Sequence, residues 1–312
     1  MPSIANLLFR NPPSFAARYL YKRTQIALSR FSRERPVVTY ATYRTASTSV
    51  HRAIRGTGVK FAVKAHTLAR EHLLSRKRER ALGVIAPSGV PMGFHVGDWV
   101  VRHGIVEAGR EADFVILIRD PVAVATSNFA SGSHWWTPEL RSLARRPSEL
   151  HGDEALQRAH ETFDSSFPTT LMRDWLAGDV KPTLGFDPRA VPFDVEQGWS
   201  AFETGRWRVL LLRADVPDLR KQQALEAFLG RRITPVSRRN RTEVAYSIPK
   251  EFVELGRRAV AASPALLDRL LDPAFVSRFW TASEIDRLRE KWGGVAERRE
   301  TASPSASIAS TP

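Results

Sequence analysis

Between Thr42 and Ser49 the chain carries five small hydroxyl residues, Thr42, Thr45, Ser47, Thr48 and Ser49, around a single cation, Arg44. Hydroxyls at that density suit an anion, because they donate hydrogen bonds and leave room for a ligand to approach the backbone. The flanks say what kind of turn it is. Pro36-Val37-Val38-Thr39-Tyr40 is short, β-branched and aromatic, which predicts a buried strand, and Val50, Ala53 and Ile54 then follow at helical spacing until Gly56. Strand, polar turn and helix in that order aim several backbone N–H groups at one spot. The partial positive charge of the helix N-terminus adds to them, so a phosphate or sulfate is the natural guest. A Ser/Thr-capped corner with nothing bound gives the same pattern. The run lacks the glycines and the closing Gly-Lys-[Ser/Thr] of the nucleoside triphosphate loop, which argues against an ordinary ATPase or kinase.

A second candidate set lies about 75 residues further on. Asp113-Phe114-Val115-Ile116-Leu117-Ile118 is a continuous apolar run of the kind buried in a parallel sheet, and it delivers Arg119-Asp120-Pro121 at its end, with Ser127 in the helix beyond. An arginine at a strand end and a serine one to two turns into the next helix can converge on one phosphate. In open α/β sheets the ligand crevice lies outside the carboxyl ends of the strands, so a parallel sheet places both sets at one site. His66 directly follows a third predicted strand, Gly58 to Ala65, where it is either a general base or a hydrogen-bonded structural histidine; His95, His103 and His134 are alternatives. Trp135-Trp136 reads as a sugar-stacking platform or as core.

Tyr43-Arg44-Thr45-Ala46-Ser47-Thr48-Ser49 resembles the 5′-phosphosulfate loop of sulfotransferases that use 3′-phosphoadenosine 5′-phosphosulfate (PAPS), and its Thr-Ala-Ser-Thr-Ser core is most like that of the 2-O-sulfotransferases acting on uronic acids. Arg44 stands where those enzymes carry lysine, so a planar fork replaces a compact point charge. Arg119-Asp120-Pro121 with Ser127 is similar to their 3′-phosphate motif. The order and spacing of Phe193-Asp194, Gly198-Trp199, Phe228-Leu229-Gly230, Asn240-Arg241 and Phe279-Trp280 resemble the bacterial capsular polysaccharide synthesis proteins, a sulfotransferase-like family, over most of 36–292. Ala214 replaces the first of an acidic pair common in sulfotransferases. The resemblance implies a three-layer P-loop-like α/β fold with a central parallel sheet, and sulfuryl transfer from PAPS to a carbohydrate hydroxyl, such as that of a capsular or cell-surface polysaccharide precursor, with PAP as product. It also implies roles. Arg44 and Thr45, Ala46, Ser47, Thr48 and Ser49 hold the 5′-phosphosulfate, Arg119 and Ser127 the 3′-phosphate, with Asn240 or Arg241 closing over it, and His66 serves as base beside a catalytic Arg44. No metal is expected, since sulfuryl transfer carries less charge than phosphoryl transfer.

The elements that must position these residues fall into one large domain. Residues 1–35 read as a basic extension, 36–293 as the α/β domain and 294–312 as a disordered tail. The chain has 312 residues, no cysteine and a formal charge of +14, carried by 39 Arg against 8 Lys. Disulfides and thiol chemistry are therefore excluded, and anionic partners are favoured. With no run of roughly 20 apolar residues and no signal-peptide core, a cytoplasmic location is expected. The basic N-terminal helix, which runs to Phe31, has two readings: weak peripheral membrane contact and, more in keeping with its mixed wheel, packing on the domain. Two alternatives to the transferase stand. One is a non-catalytic or kinase-like nucleotide-binding protein of the same fold, favoured by Arg44; the other is a nucleic-acid binder, supported by charge alone and by no helix-turn-helix or zinc module.

Overall fold

The computed structural model describes residues 13–31, 34–74, 96–131, 138–143, 150–165, 167–233 and 250–294. In chain order the elements are α1 (Pro13–Leu28), β1 (Val37–Tyr40), α2 (Ser47–Gly56), β2 (Ala62–Ala65), α3 (Val96–Val101), β3 (Ala112–Ile118), α4 (Pro121–Ser131), α5 (Pro138–Leu143) and α6 (Asp153–Ser165). They continue with α7 (Leu171–Trp175), α8 (Lys181–Leu184), β4 (Trp199–Thr204), β5 (Trp207–Arg213), α9 (Asp218–Leu229), α10 (Lys250–Ala261), α11 (Pro264–Leu270), α12 (Pro273–Val276) and α13 (Ala282–Gly293). Among the described residues no helix is long and apolar enough to cross a membrane.

The strands form one five-stranded sheet in the order β2-β1-β3-β5-β4. β2, β1, β3 and β5 run parallel, and β4 pairs antiparallel with β5. The sheet is therefore mixed rather than wholly parallel. The correction comes from Gly205, which turns the chain at φ 54° between β4 and β5 and closes a hairpin. Every residue of β3 is buried, as expected of a strand with neighbours on both sides and helices on both faces.

Alternation of side chains across the pleat divides the core in two. Val38, Tyr40, Val63, Ala65, Phe114 and Ile116 belong to the larger cluster, with residues of α3, α4, α6 and α10 to α13. Val37, Val115, Leu117, Leu210 and Leu212 face the smaller one, closed by Val50, Ala53 and Ile54 of α2 and by Leu225 and Phe228 of α9. Helices thus flank the sheet on both sides.

Several expected boundaries shift for local reasons. β2 begins at Ala62, because Gly58 turns at φ 78° and the next residues lead out of that turn. α6 and α7 are separate helices because Phe167-Pro168 falls between them and a proline disfavours helical backbone in the residue before it. Asp98 lies inside α3, fully buried, and accepts the His66 N–H at 2.5 Å. α11 and α12 were not anticipated, although each opens with a capping side chain before a proline: Ser263 accepts from the Leu266 N–H and Asp272 from the Ala274 N–H.

α3 approaches β2 so closely at Gly97 that a Cβ there would lie 1.9 Å from the Lys64 carbonyl oxygen. Gly205 differs: it has open space but a left-handed φ of 54°. Gly97→Ala is predicted to cost roughly 3 kcal/mol through a backbone clash, and Gly205→Ala only about 1 kcal/mol through strain. Urea unfolding midpoints check the order, and equal losses would contradict the close approach.

Candidate functional site

β1 lies between β2 and β3, so the chain leaves it in one direction for β2 and returns on its other side for β3. Such a reversal opens a crevice at the carboxyl ends of the strands. Tyr40, the last residue of β1, pairs with Ala65, the last of β2, and with Ile116 of β3, which runs two residues further to Ile118. Three segments therefore emerge together, 41–46 from β1, 66–69 from β2 and 119–120 from β3.

The first segment is strained. Arg44 has φ 66° and Ala46 φ 60°, both in the left-handed region that glycine normally occupies. Each costs roughly 1–2 kcal/mol, and strain of this kind collects at ligand-binding turns, where alternating backbone forms anion-binding concavities. Thr45 braces the turn with its hydroxyl donated to the Thr42 carbonyl at 2.7 Å. α2 then starts at Ser47 with no side chain capping it. The Ser49 N–H turns back to the Ala46 carbonyl at 3.0 Å, while those of Ser47 and Thr48 belong to the helical turn whose donors project along the axis.

Arg119 meets this turn directly, its guanidinium donating to the carbonyl of Arg44. The two sequence motifs, 75 residues apart, are in contact. The other parts of Arg119-Asp120-Pro121 act on the scaffold. Asp120 caps α4 by accepting the Val122 and Ala123 N–H groups at 2.9 and 3.1 Å, and its second oxygen takes Lys291 at 3.1 Å and the Trp292 indole at 2.9 Å. Pro121 opens the helix, where its missing N–H costs nothing. Ser127 lies half-buried nearly two turns into α4.

Lys64 is the residue that the sequence reading missed. It projects from β2 on the α2 side of the sheet, and its Nζ reaches the Thr48 hydroxyl at 3.2 Å. Burial pushes its pKa down, the Asp98 carboxylate pulls it partly back, and Arg52 lowers it further. A desolvated ammonium at the mouth of an uncapped helix is short of negative charge. Its signal in the sequence was a lysine inside an otherwise apolar strand, two residues before His66.

His66 is 5% exposed and held from three sides. Its N–H binds Asp98, its carbonyl accepts the Trp175 indole at 2.8 Å, and its ring stacks on Tyr43 with centroids 4.7 Å apart. Nδ1 lies 2.6 Å from the Ala41 carbonyl. A carbonyl can only accept, so Nδ1 carries the proton and the lone pair of the neutral ring sits on Nε2, the tautomer that a base requires. Asp179, fully buried, fixes the segment that follows by accepting the Leu68 and Ala69 N–H groups at 2.6 and 3.3 Å, the Tyr40 hydroxyl and His72 Nδ1.

Of the remaining candidates, His103 pairs with Glu107 at 3.8 Å and packs on Trp99, outside this cluster. Asn240, Arg241, His95, His134, Trp135 and Trp136 lie outside the described residues. A small cleft opens beside α4, lined by Pro121, Val124, Leu171 and Met172 among others; the residues of the crevice do not line it. What the crevice offers chemically is a concave run of N–H and hydroxyl donors between two cations, with an imidazole of fixed tautomer at its edge. No protein-family model, curated protein or solved structure matches the chain.

Two predictions follow from the turn and its neighbour. Ala46 is exposed, so Ala46→Gly removes strain without removing packing and is expected to raise stability by about 1 kcal/mol; a lower melting temperature would contradict the left-handed backbone. His51, on α2, sits 3.4 Å from the Thr39 hydroxyl. Burial, with help from Lys22, Lys64 and Arg55, lowers its pKa to about 3. The native state therefore binds that proton less readily than the unfolded chain, and the stability contributed is full above pH 6.5 and falls as pH drops toward about 3. His51→Gln should lose less stability than the parent protein between pH 7 and pH 5, and parallel losses would contradict the assignment.

Proposed function

We propose that the protein is a sulfotransferase that moves a sulfuryl group from PAPS to a hydroxyl of a carbohydrate acceptor, with a glycan precursor of the cell surface as the acceptor class. The observation that carries this reading is the contact of Arg119 with the Arg44 carbonyl. It joins the donor-rich turn and the Arg-Asp-Pro segment into one crevice, so that a single ligand with two anionic ends can bridge them. The uncapped start of α2 and the partly desolvated Lys64 suit an anion at one end, and Arg119 suits a second at the other.

When bound, PAPS supplies the sulfuryl group and leaves as PAP. The chain's own residues do the rest. The Ser47 and Thr48 N–H groups, their hydroxyls and Lys64 would hold the 5′-phosphosulfate and offset charge that grows on it. Lys64 would thereby provide the compact ammonium that Arg44 does not, which supports the transferase reading over a non-catalytic nucleotide binder. Arg119, with Ser127 beyond it on α4, would hold the 3′-phosphate. His66 Nε2 would take the acceptor's proton, and the bond from Nδ1–H to the Ala41 carbonyl keeps the ring oriented and favours the imidazolium that forms. Asp98 and Asp179 are positioning residues, since they bind the backbone around His66 rather than the reacting groups.

The test is a thermal-shift titration with PAP and with ATP plus Mg²⁺. PAP is expected to stabilise the protein strongly and ATP little; a larger shift with ATP would overturn the reading. Arg119→Ala should reduce the PAP shift to that given by adenosine 5′-phosphate. His66→Gln should keep it while lowering turnover by roughly 10²–10⁴-fold, and Lys64→Met should lower turnover by roughly 10²–10³-fold.

A further inference from the structure

Among the described residues six large apolar side chains are exposed, and four of them, Leu20, Tyr21, Leu28 and Phe31, lie on α1 and the single turn that follows it. They are not scattered. Leu20, Thr24, Leu28 and Phe31 recur at spacings of four, four and three, with Tyr21 beside them, which sets them along one side of the helix. Phe31 is 89% exposed and Tyr21 65%.

The opposite side of α1 is the one that binds the domain. Ile26 and Ser29 are buried there, Ile26 against Gly104, and Arg110 clamps both by donating to the Ile26 carbonyl and, at 2.9 Å, to the Ser29 hydroxyl. The mixed wheel expected from the sequence thus resolves into two faces. One edge packs, as anticipated, and a second, apolar edge is left outside.

Charge separates this region from the rest of the chain. Residues 1–70 hold thirteen Lys and Arg against the single acid Glu34, a formal +12 of the chain's +14, and residues 1–33 contain no acid at all. On α1 Arg23 is exposed on the flank between the packed and apolar edges, and Lys22 is half-buried on the packed side. α1 packs on α3 and the turn that follows it. Exposed leucine, tyrosine and phenylalanine on a helix bordered by Arg23, within an acid-free segment, are complementary to a surface that is apolar inside and anionic outside.

We propose that α1 and the turn after it dock in the plane of an anionic lipid surface, with Leu20, Tyr21, Leu28 and Phe31 inserted below the headgroups and Arg23 among them. The proposal is independent of the catalytic reading. A soluble polyanion would use the cations and leave the apolar edge without a role, so the lipid surface accounts for more of what α1 presents.

The experiment is co-sedimentation of the full chain with vesicles of phosphatidylcholine alone and of phosphatidylcholine and phosphatidylglycerol in equal parts, for the parent protein and for the double variant Leu28→Gln, Phe31→Ser. Both positions are exposed, so the variant's thermal midpoint should match the parent's, and Leu20→Gln provides a second variant if it does not. The parent is expected to bind the mixed vesicles and to stay bound, more weakly, at raised salt. The variants should partition at least about tenfold less, a change that the transfer of two such side chains readily covers. Three results would overturn the proposal: no vesicle binding by the parent; equal binding by parent and variants; or capture by dextran sulfate in place of vesicles, unaffected by the substitutions. Concentration-dependent dimerisation abolished by Leu28→Gln, without vesicle binding, would assign the face to a second copy instead and also overturn it.

Discussion

The whole site depends on the contact of the Arg119 guanidinium with the Arg44 carbonyl, and that contact depends on strand register. β1 pairs in parallel on both sides, with Tyr40 opposite Ala65 and Ile116, so β1 and β2 end level and β3 runs two residues further, to the Arg119 that meets the turn. A shift of one residue in either pairing would turn every side chain of that strand to the other face and part the two loops. The positive φ at Arg44 is the local counterpart of the same constraint, since it belongs to the turn that presents the carbonyl to Arg119. Strain in the turn is offset by the packing of β1 and α2 on either side of it.

Three buried carboxylates hold the crevice from behind. Asp98 takes the His66 N–H, Asp179 the Leu68 and Ala69 N–H groups with the Tyr40 hydroxyl, and Asp120 the first turn of α4 with Lys291 and Trp292. None belongs to the donor-rich turn. Each is multiply hydrogen-bonded or sits beside a cation, which is what makes a buried charge tolerable. Tyr40 feels the arrangement: burial and the Asp179 carboxylate push its pKa well above the usual value. A second network, Arg213 with Glu284, Asp215 and the Phe279 carbonyl, ties the end of β5 to α13 in the same manner. There Arg213, not the neighbouring Ala214, is the charged residue that matters to the fold.

Much of the site was legible because it is local. Thr42 to Ser49 between a β-branched run and an apolar 3.6-residue period fixes a strand, a turn and a helix, and the apolar stretch before Arg119 fixes a buried strand. Lys64 was not legible as a site residue. Its contact with Thr48 joins β2 to α2 across 16 residues, and its parity on the strand says which face it takes, not what it meets there. The antiparallel direction of β4, against the parallel sheet expected, was not legible for a similar reason, because pairing direction depends on a hairpin closing at Gly205 and not on the strand's own residues. α11 and α12 carried readable capping signals, but their short lengths gave no helical period to attach them to. The exposed edge of α1 emerged only when Ile26 was seen to face inward, which assigns the opposite side to solvent.

The central claim is that two segments far apart in the chain grip opposite ends of one adenylate. Calorimetric titration of PAP and of adenosine 5′-phosphate, which lacks the 3′-phosphate, into the parent protein and Arg119→Ala tests it most directly. The account predicts that the parent binds PAP at least about tenfold more tightly, consistent with a charge-assisted contact to the extra phosphate, and that Arg119→Ala binds both ligands alike. An undiminished preference for PAP in Arg119→Ala would contradict it.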